Sequence, residues 1–290
     1  MASLYQEARA ALRESDLKPK KRLGQNFLVH EAVLDAIMRL VEVTPDDEIL
    51  EIGPGLGSLT RRLVESGARR IWAVEVDPKL LAKLRESDLA TRPSLELIDG
   101  DILELPLESI LPERKIKLVA NLPYSISTPV LFRLFDLRER FSFLVLMVQR
   151  EVAERIASAP GTKAYGALSV WAQIYGRIVA KVPVAPEAFF PRPKVRSMVL
   201  KIELHAKPLI AAGEIPLMQG LVRAAFGQRR KTLLNNLGAW LKLPREVIER
   251  LLRGESIDPM RRGETLSVEE FIRLARSIQR SRRSAGTQIN

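Results

Sequence analysis

Asp47-Glu48-Ile49-Leu50-Glu51-Ile52-Gly53-Pro54-Gly55-Leu56-Gly57-Ser58-Leu59-Thr60 is the stretch that decides the fold. Its first half reads as a short buried strand. Leu59, Leu63 and Val64 then place one apolar side on a helix that follows the glycines. Strand, glycine turn and helix in direct succession form the context in which backbone can approach a ligand that a Cβ would exclude. The spacing is G-x-G-x-G, and Ser58 stands where a dinucleotide fingerprint would carry its third glycine. That turns the reading from a nicotinamide dinucleotide toward S-adenosylmethionine, which has no pyrophosphate to seat on the helix.

The neighbouring stretches continue the alternation. Ile71-Trp72-Ala73-Val74-Glu75-Val76 predicts a second strand, closed by Asp77 as N-cap and Pro78 opening a helix. Glu75 lies about 20 residues beyond the first glycines, where an acidic side chain accepts from both ribose hydroxyls. Leu95-Glu96-Leu97-Ile98 predicts a third strand running into Asp99-Gly100-Asp101-Ile102. Asp101, just past the strand end, is placed to accept from the adenine amino group of a cofactor, with Asp99 as its rival. A fourth strand, Ile116-Lys117-Leu118-Val119-Ala120, stops at Asn121-Leu122-Pro123-Tyr124, and Thr128 and Pro129 read as the N-cap and first residue of the next helix. Phe141-Ser142-Phe143-Leu144-Val145-Leu146-Met147-Val148 is a near-continuous apolar run, as central parallel strands are. A helix from Gln149 to near Gly161 and strands over 174–182 and 197–204 complete an α/β sheet. Ligands of such sheets bind at the C-terminal strand ends.

At one of those ends stand an amide, a rigid turn and an aromatic ring. Asn121-Leu122-Pro123-Tyr124 suits methyl transfer to an exocyclic amine of a nucleobase. The Asn oxygen and a nearby main-chain carbonyl accept the two amine hydrogens, and the Tyr ring stacks on an extruded base. Upstream, Lys18-Pro19-Lys20-Lys21-Arg22 precedes Gly24-Gln25-Asn26-Phe27-Leu28, so amides and an aromatic sit beside positive charge. A helix over 31–41 follows, with apolar residues at 33, 34, 37, 38 and 41. Residues 183–194 carry four prolines, the pair Phe189-Phe190 and basic flanks. They read either as an exposed loop meeting bases or phosphates, or as a stiff hairpin packed on its phenylalanines.

Beyond Leu204 the pattern is helical throughout. Met218, Leu221, Val222, Ala225 and Phe226 share a face, a basic cluster at Arg223 and 228–231 follows, and the same helix is expected to run on to Gly238. Ser267 and Glu270 form a capping box before a last helix with a basic end. The 290 residues hold no cysteine and two histidines, which excludes disulfides, thiolate nucleophiles and the usual zinc sites. No apolar run reaches the roughly 20 residues of a membrane span, and the N-terminus has no signal-peptide core, so a cytoplasmic protein is expected. Forty-six Lys and Arg against 35 Asp and Glu give a formal charge of +11, the footprint of a nucleic-acid binder.

Six motifs in order resemble the ribosomal RNA adenine dimethyltransferase family over nearly the whole chain: residues 24–28, 51–57, 74–77, 100–101, 121–124 and 226–233. The resemblance implies a Rossmann-like class I S-adenosylmethionine-dependent methyltransferase sheet with a small C-terminal all-helical domain. Residues 1–205 would be the cofactor-binding catalytic domain and 206–290 a helical RNA-binding domain. It implies S-adenosyl-L-methionine held by Asn26, Leu28, Gly53, Glu75, Asp101 and Asn121, which settles Asp101 over Asp99. The target adenine would lie against Asn121, Pro123 and Tyr124, with no metal. The branch it is most similar to dimethylates N6 of two adjacent adenosines in the 3′-terminal hairpin loop of 16S rRNA, acting on the 30S subunit late in its assembly; a monomer is expected. Antibiotic-resistance relatives that methylate large-subunit rRNA commonly carry Ile where Leu122 stands. A pure assembly factor would be expected to have lost Glu75 or the Asn121 group.

Overall fold

The computed structural model describes residues 3–14, 18–20, 23–124 and 126–284. Lys21 and Arg22 of the expected basic cluster, and Ser125, lie outside them. Along the chain run α1 (Leu4–Glu14), β1 (Phe27–Leu28), α2 (Glu31–Val41), β2 (Glu48–Ile52), α3 (Ser58–Glu65), β3 (Arg70–Glu75) and α4 (Pro78–Glu86). Next come β4 (Leu95–Asp99), α5 (Leu107–Ile110), β5 (Ile116–Asn121), α6 (Ser127–Asp136), β6 (Phe141–Gln149) and α7 (Arg150–Ile156). The remainder is α8 (Ala167–Tyr175), β7 (Gly176–Val184), β8 (Phe189–Phe190), β9 (Ser197–Leu204), α9 (Ile215–Gly227), α10 (Leu233–Leu241), α11 (Arg245–Gly254) and α12 (Val268–Ser284).

Two compact units emerge, Met1–Ala153 with Arg177–Leu204, and Glu154–Gly176 with His205–Asn290. The boundary expected near residue 205 is one of several crossings, because the chain also visits the second unit over 154–176. The reason lies in α8, where Leu168, Val170, Trp171, Ala172, Ile174 and Tyr175 are all buried. A helix apolar on every side needs cover all round, and α8 finds it against α9 and α12.

The first unit is built on a seven-stranded sheet in the order β4-β3-β2-β5-β6-β9-β7. The pairs β4–β3, β3–β2, β2–β5 and β5–β6 are parallel, and β9 is antiparallel to β6. Winding runs outward from β2 through β3 to β4, then resumes on the other side of β2 with β5. The crevice at that reversal, above the ends of β2 and β5, is where open α/β sheets take ligands. Every residue of β2 is buried, Glu48 and Glu51 included. Asp77 caps α4 as read from the sequence, its side chain accepting from the Lys79 N–H.

At α6 the expectation fails in detail. The helix starts at Ser127 after Ile126, with no side-chain cap, so Thr128 is not the N-cap. The Ser127 hydroxyl donates instead to the Pro123 carbonyl at 2.9 Å, and the Ile126 N–H reaches the same oxygen at 3.2 Å. The turn after Asn121 thus flows directly into the helix. Pro129 sits within the first turn, where its missing N–H costs nothing.

Residues 183–194 resolve toward the packed reading. Phe189 is buried and pairs with Leu28, Phe190 pairs with Phe27 in a two-stranded antiparallel ribbon, and the Tyr5 ring stands edge-on to Phe190 at 5.3 Å. In the second unit the helix expected to continue to Gly238 breaks at 228–232. Thr232 accepts from the Asn235 N–H and caps α10, while the buried Asn236 amide donates to the carbonyls of Ala225 and Gln228 at 3.2 Å. Those bonds close the end of α9 and leave residues 228–231 as an exposed turn. The capping box is present, with Ser267 and Glu270 bonding each other's N–H groups. Among the described residues no helix is long and apolar enough to cross a membrane.

Candidate functional site

One cleft of the first unit is lined by Asn26, Leu28, Gly53, Glu75, Asp101, Asn121, Pro123 and Tyr124, every site residue read from the sequence. It sits at the C-terminal ends of β2, β3, β4 and β5. Its empty space, mouth included, is about 1010 Å³. Asp99, the rival of Asp101, is exposed and takes no part in the lining.

The floor is the turn after β2. Gly53 closes it with an N–H bond to the Val74 carbonyl at 2.9 Å. Gly55 has φ of +59°, and a Cβ there would lie 3.0 Å from the Phe27 ring. Only glycine satisfies both constraints, and the backbone N–H it leaves uncovered donates to Glu75 Oε2 at 3.0 Å. Glu75 Oε1 accepts from the Asp77 N–H at 2.9 Å. Burial pushes the Glu75 carboxyl up, and the N–H groups of Asp77 and Gly55 partly offset that. A carboxylate pinned by one N–H on each oxygen keeps lone pairs on both for two further donors.

Deeper still is Glu51, whose importance the sequence reading passed over. It is 1% exposed, lines the cleft, and its Oε2 has no hydrogen-bond partner. Burial pushes this carboxyl up to about 8, the Thr60 hydroxyl pulls it down, and the negative Glu75 adds to the rise. The available signal was an acidic residue set between Leu50 and Ile52 at the inner end of an apolar strand, directly before the glycine turn.

The wall is the segment before α2. Gly24 lies against the turn at 121–124, where a Cβ would come within 3.3 Å of the Pro123 Cβ. Asn26 donates to the Gly24 carbonyl at 3.0 Å, and Asn121 donates through Nδ2 to the Asn26 carbonyl at 3.2 Å. The Asn121 Oδ1 is thereby turned away from Asn26. Gln25 and Lys20 both donate to Asp77 at 2.7 Å. Burial acts upward on Asp77, yet these two donors and the Lys79 N–H outweigh it and hold its carboxyl below the usual range. Lys20 and Gln25 are thus fastened just past the end of β3, and Asn26 to the end of β5.

Tyr124 is half-buried, and its hydroxyl shares a 2.9 Å hydrogen bond with the buried Ser197 of β9. Burial raises the phenol, and the Ser197 bond acts against it. Asp101 Oδ1 accepts from the Leu103 N–H at 2.9 Å. Of the basic clusters, Lys20 is spent on Asp77 and Arg192 on Glu187, while Arg223 and 228–231 are exposed on the second unit. The arginines late in α12 are largely committed: Arg273 and Arg280 to Glu255, and Arg276 to Glu214.

A buried acidic pair beside a glycine turn, facing an Asn-x-Pro-Tyr group, suits a ligand that carries hydroxyls, an amine and positive charge. Comparison with known proteins agrees with that chemistry. The family model for ribosomal RNA adenine dimethylase matches residues 16–280. A ribosomal RNA small subunit methyltransferase A from Geobacter metallireducens is 45% identical over 92% of this chain and 98% of its own. One of the same description from Syntrophotalea carbinolica is 46% identical over 90% and 97%. Among solved structures, a dimethyladenosine transferase from Plasmodium falciparum superposes with a TM-score of 0.74 at 25% identity, covering 88% of this chain and 98% of that one. The 23S rRNA methyltransferase ErmE gives 0.67 at 25% identity, covering 88% and 100%.

Proposed function

The chain belongs to the ribosomal RNA adenine dimethylase family, and from that premise we propose that it converts two adjacent adenosines of the 16S rRNA 3′-terminal hairpin loop to N6,N6-dimethyladenosine. It is an S-adenosylmethionine-dependent rRNA adenine methyltransferase. The observation that carries the finer reading is the convergence on one cleft of the glycine turn, Glu75, Asp101 and residues 121–124.

The cleft fits the cofactor on two counts. The cradle at Gly53 and Gly55 leaves backbone open, and Glu51 Oε2 is a buried oxygen in want of a donor. When bound, S-adenosylmethionine supplies a methyl group activated by its sulfonium. Glu75 would accept from the ribose hydroxyls and Asp101 from the adenine amino group. Asn26, Leu28, Gly53 and Asn121 would line the rest, and Glu51 would meet the positive amino-acid end.

Toward the substrate, Asn121 Oδ1 accepts one hydrogen of the target amine. The Pro123 carbonyl is already taken by Ser127 and Ile126, so the main-chain acceptor for the other hydrogen is the carbonyl of Leu122. Tyr124 gives the extruded base a stacking face. No strong base is required, because the N6 proton becomes acidic as the new bond forms. The residues act by positioning and by accepting hydrogen bonds in the transition state.

The helical unit is assigned to RNA binding through the exposed turn at 228–231, the substrate to the 30S subunit late in assembly, the working form to a monomer, and the compartment to the cytoplasm. Tritiated methyl transfer onto undermethylated 30S subunits, with 50S subunits alongside, tests this. Label is expected on 30S alone, as dimethyladenosine at two neighbouring positions. Label on 50S subunits would favour the ErmE-like specificity, and methylation of ribose or cytosine would overturn the reading.

A further inference from the structure

After β4 the chain makes a tight loop. Gly100 bonds back to the Glu75 carbonyl at 3.1 Å, and the Asp101 carbonyl accepts from the N–H groups of both Glu104 and Leu105 at 2.9 Å. The Leu105 side chain folds over Gly100, where a Cβ would lie 2.7 Å from Leu105 Cδ2. Asp101 is therefore carried by a short loop whose shape depends on where residues 103–105 are held. The Leu105 carbonyl accepts from the Leu107 N–H at 2.8 Å, and it and the Leu103 carbonyl each take a donor from outside the loop.

That donor comes from α6. Arg133 Nη1 donates to the Leu103 carbonyl and Nη2 to the Leu105 carbonyl. Its Nε is buried without a partner, so the guanidinium fork is given over to this loop. The helix that carries Arg133 begins at Ser127, whose hydroxyl holds the Pro123 carbonyl. One helix thus grips the Asp101 loop with one residue and the turn of the Asn121 group with another.

We propose that Arg133 is a positioning residue that sets Asp101 for reading the 6-amino group of the cofactor's adenine, and that α6 ties this end of the cleft to the target-base end. The inference rests on Asp101 accepting from that amino group. A planar fork bonded to two carbonyls fixes the loop in both distance and angle. Lysine, a rotatable ammonium with no planar fork, holds the two carbonyls without fixing the angle between the bonds.

The test is discrimination between S-adenosylhomocysteine and its inosine counterpart, in which a 6-oxo group replaces the amine, measured by calorimetry on the full-length protein. Wild type is expected to prefer the adenine form, and Asp101→Ala to abolish the preference. Arg133→Met is expected to shrink the preference roughly tenfold, chiefly by weakening the adenine form, and Arg133→Lys to fall between the two. A merely structural arginine would weaken both ligands alike and leave their ratio unmoved. An unchanged ratio in Arg133→Met, or in Arg133→Lys where the Met variant does not fold, overturns the proposal while Asp101→Ala still behaves as stated. An unchanged ratio in Asp101→Ala overturns the reading of Asp101 itself, and the proposal with it.

Discussion

The Tyr124 hydroxyl and the Ser197 Oγ lie 2.9 Å apart, joining the turn after β5 to the first residue of β9. Ser197 is 1% exposed and pairs with Gln149 across the sheet, so it is a fixed anchor. The bond sets the tilt of a ring proposed to stack on the target base. Tyr124→Phe and Ser197→Ala each lose that one bond and keep the ring, so each is expected to lower turnover about three- to tenfold. The double variant should be no slower than the worse single one, because both remove the same contact. Tyr124→Ala removes the stacking face, worth ~1–3 kcal/mol, and should cost roughly ten- to a hundredfold. Single-turnover methylation of 30S subunits measures all four. Additive losses would show that Ser197 acts otherwise than through the ring.

Glu75 is the ribose acceptor by this reading, and its two oxygens are already aimed by the N–H groups of Gly55 and Asp77. Replacement by Ala is expected to weaken S-adenosylmethionine binding by about 1.5–3 kcal/mol, as for a hydrogen bond to a charged group. Affinity for the rRNA should stay as it was, since Glu75 faces the cofactor. Calorimetry with each ligand separately reads both outcomes.

How far these positions were legible in the sequence follows from how local their causes are. The turn at 53–57 and the cap at Asp77 are dictated by neighbours in the chain, and both appear where the glycines and the Asp-Pro pair place them. The β1–β8 ribbon joins residues about 160 apart through two-residue strands, too short for any periodicity to announce. The break at 228–232 hides in the same way. An apolar face continues across it, and only the tertiary role of Asn236, reaching back to Ala225 and Gln228, shows why the helix must stop. Thr128 looked like a cap because Pro129 followed it, but the Pro123 carbonyl drew Ser127 into the helix start. Glu51 carries no mark of its depth in the sequence, since burial cannot be read from one residue in a strand.

That buried carboxyl makes stability depend on pH in a definite direction. The folded state holds the Glu51 proton up to about pH 8, whereas the ordinary value is 4.5. Between those values the native state binds more protons than the unfolded chain, so stability falls as pH rises across the window and is fullest below it. Differential scanning calorimetry without cofactor should show the thermal midpoint declining from about pH 5 to about pH 8. Glu51→Gln should flatten that decline. If Glu51 also meets the cofactor's ammonium group, binding expels its proton, and S-adenosylmethionine should bind wild type more tightly as pH rises toward about 8. A midpoint equally pH-dependent in the Gln variant would mean that another group carries the effect.

The turn between α9 and α10 is the proposed RNA contact of the second unit. Arg229, Arg230 and Lys231 stand exposed there because Thr232 and Asn236 end one helix and start the next. Arg229 also donates to the Lys163 carbonyl at 2.9 Å, so changing it would disturb the fold of its unit. Arg230→Glu with Lys231→Glu is the cleaner variant. Each phosphate contact adds about 0.7–0.9 to the slope of log affinity against log salt, so losing two should flatten the slope by about 1.4–1.8. Affinity should drop most at low salt, where counterion release contributes most. Cofactor binding should be unchanged, because the cleft lies wholly within the first unit. Filter binding of the 16S hairpin at several salt concentrations, with calorimetry of S-adenosylmethionine as the control, decides it. A slope and affinity both equal to wild type would show that the turn reads no RNA, and that the charge of the second unit serves another purpose.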